Sequence, residues 1–348
     1  MTAKTNAAPS IMSKDSRNKR RRTWFFIGLG LLFVVSCFSL FIGTHYISPS
    51  VTLDAIFSFD QSNSDHLLVQ HLRIPRTLLA IVVGGALGVS GVVMQGLTRN
   101  PLADPGILGV NAGAAVAVVS AIAFLDLYEV VYVMWFGLLG AAIAGAGVFL
   151  LAGVRKGVNP VRVVLAGTAL SVVLLALTHM ITVNSHEMVF EQFRHWSVGS
   201  FQGRGYDVVI PTSMLIVVGM IIAFSLSKAL DTVSLGEDIG HALGVNPLKI
   251  WSLASIAIII LAGASTAAAG PITFVGLTAP HIVRMISGPD HNWLMPFSLL
   301  IASILAVVAD VLGRIIGYPN EISVGIMIAL IGGPFFIFLV KRWKISQL

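Results

Sequence analysis

The sequence predicts an all-α polytopic membrane protein with about ten transmembrane helices. Hydrophobic residues make up 56% of its 348 positions and charged residues only 11%. The apolar residues fall in runs of roughly 20, the length that crosses the hydrocarbon core of a bilayer. Because a membrane-spanning segment must satisfy its backbone hydrogen bonds internally, these runs are expected to be helices.

The chain opens with a polar segment, residues 1–23, that ends in the basic run RNKRRR. We expect it to be a disordered basic cytoplasmic tail lying at the lipid headgroups. Residues 24–344 are expected to form a single transmembrane domain. Its first span, 24–44, is longer than a signal-peptide core and lacks a cleavage pattern of small residues. This span holds Cys37, the single cysteine, so an internal disulfide is excluded.

Nine further apolar runs complete the predicted set: 77–95, 107–125, 130–154, 163–183, 208–226, 250–269, 272–286, 294–313 and 322–340. The run 272–286 is short and contains Pro280 and His281. Before the sixth span, Glu187, Glu191 and Arg194 recur at helical spacing beside aromatic residues. This pattern predicts a short amphipathic helix on the membrane surface.

The distribution of basic residues predicts the orientation. With ten spans, all but five of the 22 lysine and arginine residues fall on one face. The five on the other face are all arginines: Arg73, Arg76, Arg194, Arg204 and Arg314. The positive-inside rule therefore places both termini in the cytoplasm. The net charge of +6 reports topology in this chain and does not indicate a nucleic-acid partner.

Asp310 is the only acidic residue well within an apolar span. A carboxylate there is costly unless it is paired or hydrated, and Arg314 follows one helical turn later. A structural ion pair and a role in proton transfer are both open, and the spacing favours the pair.

The segment Leu235 to Pro247, LGEDIGHALGVNP, is too polar for hydrocarbon and lies between two spans. A plain connector and a docking element for a soluble partner are equally compatible with its spacing.

The sequence predicts no catalytic, metal-binding or nucleotide-binding site in this chain. Small residues at helical spacing, Gly84, Gly88 and Gly91 and again Gly137, Ala141 and Gly145, indicate close helix packing. The sequence contains no GxxxxGK[ST] motif for ATP. The histidines lack partners at metal-ligand spacing, and no catalytic set is recognisable. We therefore expect no catalytic residue, no metal ligand and no cofactor in this chain.

Three stretches resemble signatures of a known family. They are RIPRTLLAIVVGGALGVSGVVMQGLTRNPLADPGILG from Arg73, LGEDIGHALGVN from Leu235 and GPITFVGLTAPHIVR from Gly270. Together with ADVLGR and GGPFFIFL near the end, they are similar to the iron-siderophore, haem and cobalamin permeases. These are the membrane subunits of type II ABC importers.

The resemblance implies the type II permease fold and a set of partners. These are a second protomer, identical or paralogous, two cytoplasmic ATPases that carry ATP and Mg²⁺, a substrate-binding protein and an iron chelate. The cytoplasmic loop 231–247 would be the coupling element that docks on an ATPase. Its matching residues are Leu235, Gly236, Glu237, Asp238, Gly240, Ala242, Leu243 and Gly244.

The resemblance also implies two further sites. Asn100, Pro101 and Leu102 match the inner gate, although prolines here also suit an ordinary turn. Arg73, Arg76 and Arg314 match arginines that pair with glutamates of the substrate-binding protein. Their alternative role is interfacial anchoring at lipid headgroups.

Two classes of function remain after this comparison. An ATP-driven importer subunit is favoured, with ferric siderophore as the commonest substrate of the family and haem or cobalamin as alternatives. A secondary transporter driven by an ion gradient is the other class, and it calls for several paired ionisable residues within the membrane. Asp310 alone gives that alternative little support.

Overall fold

The structure, a computed structural model, describes residues 14–153, 159–234 and 246–342. All regular secondary structure in these ranges is helical. The helices are α1 (Lys14–Phe41), α2 (Pro49–Phe57), α3 (Ser64–Leu68), α4 (Ile74–Thr98), α5 (Val110–Leu125), α6 (Val130–Leu151), α7 (Pro160–Val183), α8 (Glu187–Ser197), α9 (Tyr206–Ser225), α10 (Ser227–Ser234), α11 (Pro247–Ala269), α12 (Val275–Ser287), α13 (His291–Ile316) and α14 (Val324–Arg342). A π-helical turn, Val69–Arg73, leads into α4, and a 3₁₀ turn, Pro105–Leu108, precedes α5.

Ten of these helices correspond to the ten predicted spans. Within the described residues, seven helical stretches are long and apolar enough to cross a membrane, and α5 and α14 are shorter apolar helices. The tenth, α12, has only 13 residues. It rises about 20 Å at 1.5 Å per residue, less than the hydrocarbon thickness. The non-helical segment 270–274 precedes it, and most of α12 is buried between other helices. Irregular backbone at membrane depth is tolerated in such protected positions.

The ten helices alternate in direction, so the bundle has two distinct ends. We call the end that carries Arg73, Arg76 and Arg314 the arginine end, and the opposite end, where α1 begins, the N-terminal end. The described chain starts and finishes at the N-terminal end. At the arginine end, α2 and α3 form a small separate apolar cluster, and α8 is the short amphipathic helix that the sequence predicts.

The start of α1 differs from the expected disordered tail. The helix begins at Lys14, so residues 14–23 are helical, and residues 1–13 lie outside the described ones. Arg21 explains the difference, because its side chain is buried against α13. It donates to Asp290 at 3.3 Å and to the Ser287 carbonyl, and it lies over the Trp293 ring. These contacts hold the basic turns in a helix continuous with the first span.

The centre of the bundle is α4, which packs against α9, α11, α12 and α13. Nearly all of its residues from Val83 onward are buried. In contrast, α1 and α7 are mostly exposed along their apolar spans. The tight packing of α4 depends on the predicted small residues. A Cβ at Gly88 would lie 2.5 Å from the Ser298 carbonyl oxygen, and one at Gly84 would lie 2.7 Å from that of Ala302.

Gly91 shows the closest approach of α4 to α12. A Cβ at this position would lie 1.9 Å from the carbonyl oxygen of Gly276, so the two backbones are in direct contact. The second predicted set also packs closely. A Cβ at Gly137 would lie 3.4 Å from the Cα of Ala267 on α11, and Gly145 faces Ile259 on the same helix. Small residues therefore set the distances between these helices, as van der Waals packing in a bilayer requires.

The contact between Gly91 and Gly276 predicts that one added methyl group at position 91 destabilises the protein. Gly91→Ala should lower the free energy of unfolding by about 1 to 3 kcal/mol, because α4 and α12 must move apart. Gly30→Ala is the matched control, since no atom lies within 4 Å of a Cβ there. Denaturant titration of the two purified variants measures the difference. Equal stability of both variants and the wild type would contradict the close packing.

Candidate functional site

The most highly charged site of the bundle lies at the arginine end and is centred on Asp310 of α13. Arg76 of α4 donates to both carboxylate oxygens of Asp310, with Nε at 3.1 and 3.0 Å and Nη2 at 2.8 Å. Arg314 lies 2.9 Å from the same carboxylate. Nη1 of Arg76 also donates to Glu321 at 2.7 Å. We call these four residues, together with Arg73, the arginine cluster.

The cluster is buried, which makes its pairing necessary. Asp310 is 2% exposed and Arg314 is 3% exposed, and the side chains of Arg76 and Glu321 are each 12% exposed. A buried ion without a partner costs several kcal/mol, whereas mutually bonded ions keep this cost tolerable. Three arginines and two carboxylates leave the cluster with a formal charge of +1.

Two of the arginines also complete the end of α1. The last carbonyl groups of a helix have no partners within that helix. Arg314 donates to the carbonyls of Ser39 and Ile42 at 2.9 and 2.5 Å, and Arg73 donates to that of Leu40 at 2.9 Å. Arg73 also bonds the carbonyl of His45 just beyond the helix. The cluster therefore connects α1, α4 and α13.

The sequence predicted part of this arrangement. The Asp310 and Arg314 pair at one-turn spacing is confirmed. Sequence reasoning missed the bidentate bond from Arg76, 234 residues away from Asp310, and it missed Glu321. A signal for Glu321 existed, because it is an acidic residue between two apolar spans on the face where all the predicted basic residues are arginines.

The predicted docking role of Arg73, Arg76 and Arg314 must be compared with this geometry. The structure brings the three side chains together, and all three border a cavity of about 290 Å³ that Glu321, His45 and Gln202 also line. Their hydrogen bonds, however, are made within the chain. Docking at these arginines stays a prediction, and any partner would meet the rim of a cluster that is already paired.

The predicted gate residues form a tight turn at the N-terminal end. Arg99 ends α4 in the left-handed region with φ of 52°. Asn100 then accepts a hydrogen bond from the backbone of Leu102 at 2.9 Å, and Leu102 is 41% exposed. Asp104 begins the 3₁₀ turn by accepting from the Gly106 N–H at 2.8 Å. Burial raises the pKa of Asp104, and the bond from Gly106 opposes that rise. Pro101 lies within this turn, and a gating role for it stays a prediction.

The predicted coupling residues lie outside the described part of the chain. These are Leu235, Gly236, Glu237, Asp238, Gly240, Ala242, Leu243 and Gly244, between α10 and α11. The flanks of this segment are described. Asn246 accepts a hydrogen bond from the Lys249 N–H and so begins α11. On α10, Asp231 accepts from the backbone N–H of His291 at 3.0 Å and lies 2.6 Å from its Nδ1. The flank that precedes the predicted coupling residues is thus joined to the start of α13.

Comparison with known proteins places this architecture in a family. The family model described as the FecCD transport family matches residues 31–342. The chain belongs to the FecCD transport family. The match contains the arginine cluster, the gate turn and the predicted coupling segment. It starts after the basic turns of α1.

Similar proteins are found in several bacteria. The chain is 38% identical over 332 residues to the Fe(3+)-citrate import system permease protein YfmD of Bacillus subtilis, covering 95% of this chain and 98% of that one. It is 40% identical over 313 residues to the ferric enterobactin transport system permease protein FepD of Escherichia coli, covering 90% and 93%. A solved structure of a metal-chelate type ABC transporter in an inward-facing conformation has a TM-score of 0.81 at 30% identity, covering 92% of this chain and all of that one. The fold is therefore that of an ABC importer permease, a multi-pass protein of the bacterial plasma membrane.

The geometry of the arginine cluster predicts that Asp310→Asn, a nearly isosteric change, causes a large loss of stability. Asp310→Asn leaves Arg76 and Arg314 buried without their shared anion, so the free energy of unfolding should fall by about 3 to 5 kcal/mol. The control is Glu191→Gln, which removes an exposed pair with Arg194 and should cost less than about 1 kcal/mol. Denaturant titration in the same detergent compares the two. Similar small losses would show that the cluster does not hold the helices together.

Proposed function

We propose that this chain is the permease subunit of an ABC importer that takes up an iron chelate. The observation that carries the proposal is the family match over residues 31–342 together with the similar fold of a metal-chelate type ABC transporter. Ferric enterobactin, Fe(3+)-citrate and hemin appear in the names of relatives that are 37% to 40% identical. These names support an iron chelate as the substrate class.

The proposed partners follow from the family and from the surface of the bundle. Permeases of this family work with an ATPase and a substrate-binding protein. We propose two ATPases and a second permease protomer, identical or paralogous. The exposed face of α7 supports the second protomer, because it carries Thr168 and His179 among apolar residues. Polar side chains in a spanning helix usually face protein or water and not lipid.

The proposed orientation places the N-terminal end, and both termini, in the cytoplasm. The first turns of α1 support it, because Arg17, Lys19, Arg20 and Arg22 are exposed there. Basic residues at this depth bind the anionic headgroups of the cytoplasmic leaflet. In this orientation the arginine end faces the substrate-binding protein, and the gate turn at Asn100, Pro101 and Leu102 faces the cytoplasm.

Coupling to ATP hydrolysis is proposed to pass through residues 231–247. The sequence has no nucleotide-binding motif of its own, so ATP and Mg²⁺ would bind to the partner ATPases and this chain would hold no cofactor. The bonds between Asp231 and His291 support the proposal. They join the coupling segment directly to α13, which runs the full length of the bundle.

The alternative function, a secondary transporter, is less well supported. A proton-coupled transporter needs a carboxylate in the membrane that can bind and release protons. Asp310 is instead held in ion pairs with two arginines of the same chain. The geometry therefore gives Asp310 a structural role and favours the importer.

The coupling proposal predicts that changes in this segment lower uptake without preventing assembly of the transporter. Gly240→Trp and Glu237→Arg should each lower uptake of the iron chelate at least about tenfold while the variants still insert and bind the substrate-binding protein. Ser225→Ala is the control, because this exposed hydroxyl lies outside the segment, at the end of α9, and bonds within its own helix to the Ile222 carbonyl. Uptake is measured in cells with matched protein levels. Wild-type uptake by both variants would rule out this segment as the coupling element.

The docking proposal predicts that replacing Glu321 speeds association with the substrate-binding protein. Glu321→Gln raises the formal charge of the arginine cluster from +1 to +2 and frees one side of Arg76. An acidic docking surface should then associate about two times faster at low salt, and the gain should vanish at high salt. Surface plasmon resonance with the substrate-binding protein measures the rate, and Glu191→Gln controls for charge outside the cluster. An unchanged rate at low salt would exclude the cluster from docking.

A further inference from the structure

A second cavity at the arginine end shares Gln202 with the cavity beside the arginine cluster, and it is lined by hydrogen-bond donors. It has a volume of about 420 Å³ and lies beside α8. Its polar lining includes Gln192, Trp196, Ser200, Gln202 and Arg204, and none of the described residues that line it is Asp or Glu. We call it the Arg204 cavity.

Arg204 is the first unusual feature of this cavity. Its Nε is buried and has no hydrogen-bond partner, and no carboxylate among the described residues lies within ion-pair distance of its side chain. Burial lowers the pKa of Arg204 to about 10, and the charge of Asp207 partly opposes the change. The guanidinium therefore stays charged at neutral pH. The side chain as a whole is half-buried, and a partly desolvated charge without a bonded counter-ion adds little to the stability of the fold.

Trp196 is the second unusual feature. The residue is 5% exposed, and its indole Nε1 is buried without a hydrogen-bond partner. The ring is held in place by stacking on Phe193, with centroids 5.9 Å apart. Buried donors are rarely left unpaired in folded proteins. Two of them, the Nε of Arg204 and the indole Nε1 of Trp196, belong to residues that line the same cavity.

The two unpaired donors and the unpaired charge require the same kind of partner. An acceptor that is also an anion would satisfy the N–H groups and neutralise Arg204, whereas a neutral acceptor would do only the first. The planar guanidinium is suited to two oxygens of a carboxylate or to neighbouring phenolate oxygens. The volume is in the range of small-molecule sites. It would hold an anion of the size of citrate or one arm of a larger chelate.

We propose that the Arg204 cavity binds an oxyanionic group of the transported small molecule, with Arg204 and Trp196 as its hydrogen-bond donors. The proposal rests on the proposed function, because it takes the iron chelate as the source of the anion. It narrows the substrate class to chelates that carry carboxylate or phenolate oxygens. The cavity lies on the side proposed to receive the substrate, so the anion would bind there before translocation.

The first test uses stability and binding together. Arg204→Leu removes a half-buried charge that has no bonded counter-ion, so this variant should unfold at a temperature no lower than that of the wild type. It should also need at least about tenfold more iron-free citrate for the same thermal stabilisation, because a charge-assisted bond is lost. The permease is measured in nanodiscs with its partner ATPases. Arg194→Leu is the control, since Arg194 is exposed and paired with Glu191.

A second variant separates the donor from the charge. Trp196→Phe keeps an aromatic ring beside Phe193 and loses the N–H together with part of the indole, so it should unfold at a somewhat lower temperature and weaken citrate binding less than Arg204→Leu does. A lower unfolding temperature for Arg204→Leu with an unchanged citrate response would show that Arg204 is structural. A citrate response that persists in both variants would place the anion elsewhere. Either result overturns the proposal.

Transport distinguishes this inference from the proposed function. Arg204→Leu should lower uptake of ferric citrate about tenfold relative to uptake of a charge-neutral ferric trihydroxamate. Equal effects on both chelates would overturn the inference and leave the importer function standing. Failure of the wild type to take up any iron chelate would overturn the proposed function instead. If Arg204→Leu impairs binding of the substrate-binding protein but not of citrate, the anion is a side chain of that protein and the small-molecule proposal is wrong.

Discussion

Asp310 accepts hydrogen bonds from Arg76 and lies in an ion pair with Arg314, and the three helices α1, α4 and α13 depend on this carboxylate. Without it, two guanidinium groups would be buried next to each other in the membrane domain. With it, Arg314 is positioned to bond the last carbonyls of α1. The carboxylate of Asp310 thus neutralises Arg314, and Arg314 in turn bonds the carbonyl groups at the end of α1. The arginines of this family motif have a structural role whether or not a partner also recognises them.

The same helix, α13, is anchored at its other end. Asp290 begins it, Arg21 bonds to Asp290, and Asp231 bonds to the backbone and the ring of His291. Between its two ends, Gly84 and Gly88 of α4 bring the backbone of α13 into contact. Packed interfaces of this kind move as units and do not deform gradually. A displacement of the Asp231 flank, which the proposed coupling to an ATPase requires, would therefore reach the arginine end through α13 as a rigid element.

The sequence predicted the features that depend on composition and on local spacing. The ten apolar helices, the amphipathic helix α8 and the Asp310 to Arg314 pair all follow from patterns within a few turns of one helix. The features that it did not predict join distant parts of the chain. The bond between Arg76 and Asp310 and the contact of Arg21 with α13 each need a tertiary arrangement that periodicity does not encode. The helical start of α1 was missed for the same reason, because a basic run reads as a solvated tail until its buried partner is known.

The candidate site was predictable to a similar extent. Motif resemblance identified Arg73, Arg76 and Arg314 as a group, but burial and pairing change what these side chains can do. The unpaired donors of Arg204 and Trp196 have no sequence signature, because an arginine and a tryptophan in a polar loop are ordinary until their environment is seen. The fold leaves the donors of such a site unpaired, and rules based on local sequence therefore do not predict it.

We propose that this permease moves its substrate by ATP hydrolysis on partner subunits and that the paired charges in the membrane have a structural role. The most direct measurement is uptake of a radiolabelled iron chelate into proteoliposomes that contain the permease, its ATPases and the substrate-binding protein. The account predicts uptake that requires ATP on the cytoplasmic face and is unchanged when ionophores abolish all ion gradients. Uptake driven by a proton or sodium gradient without ATP would contradict it.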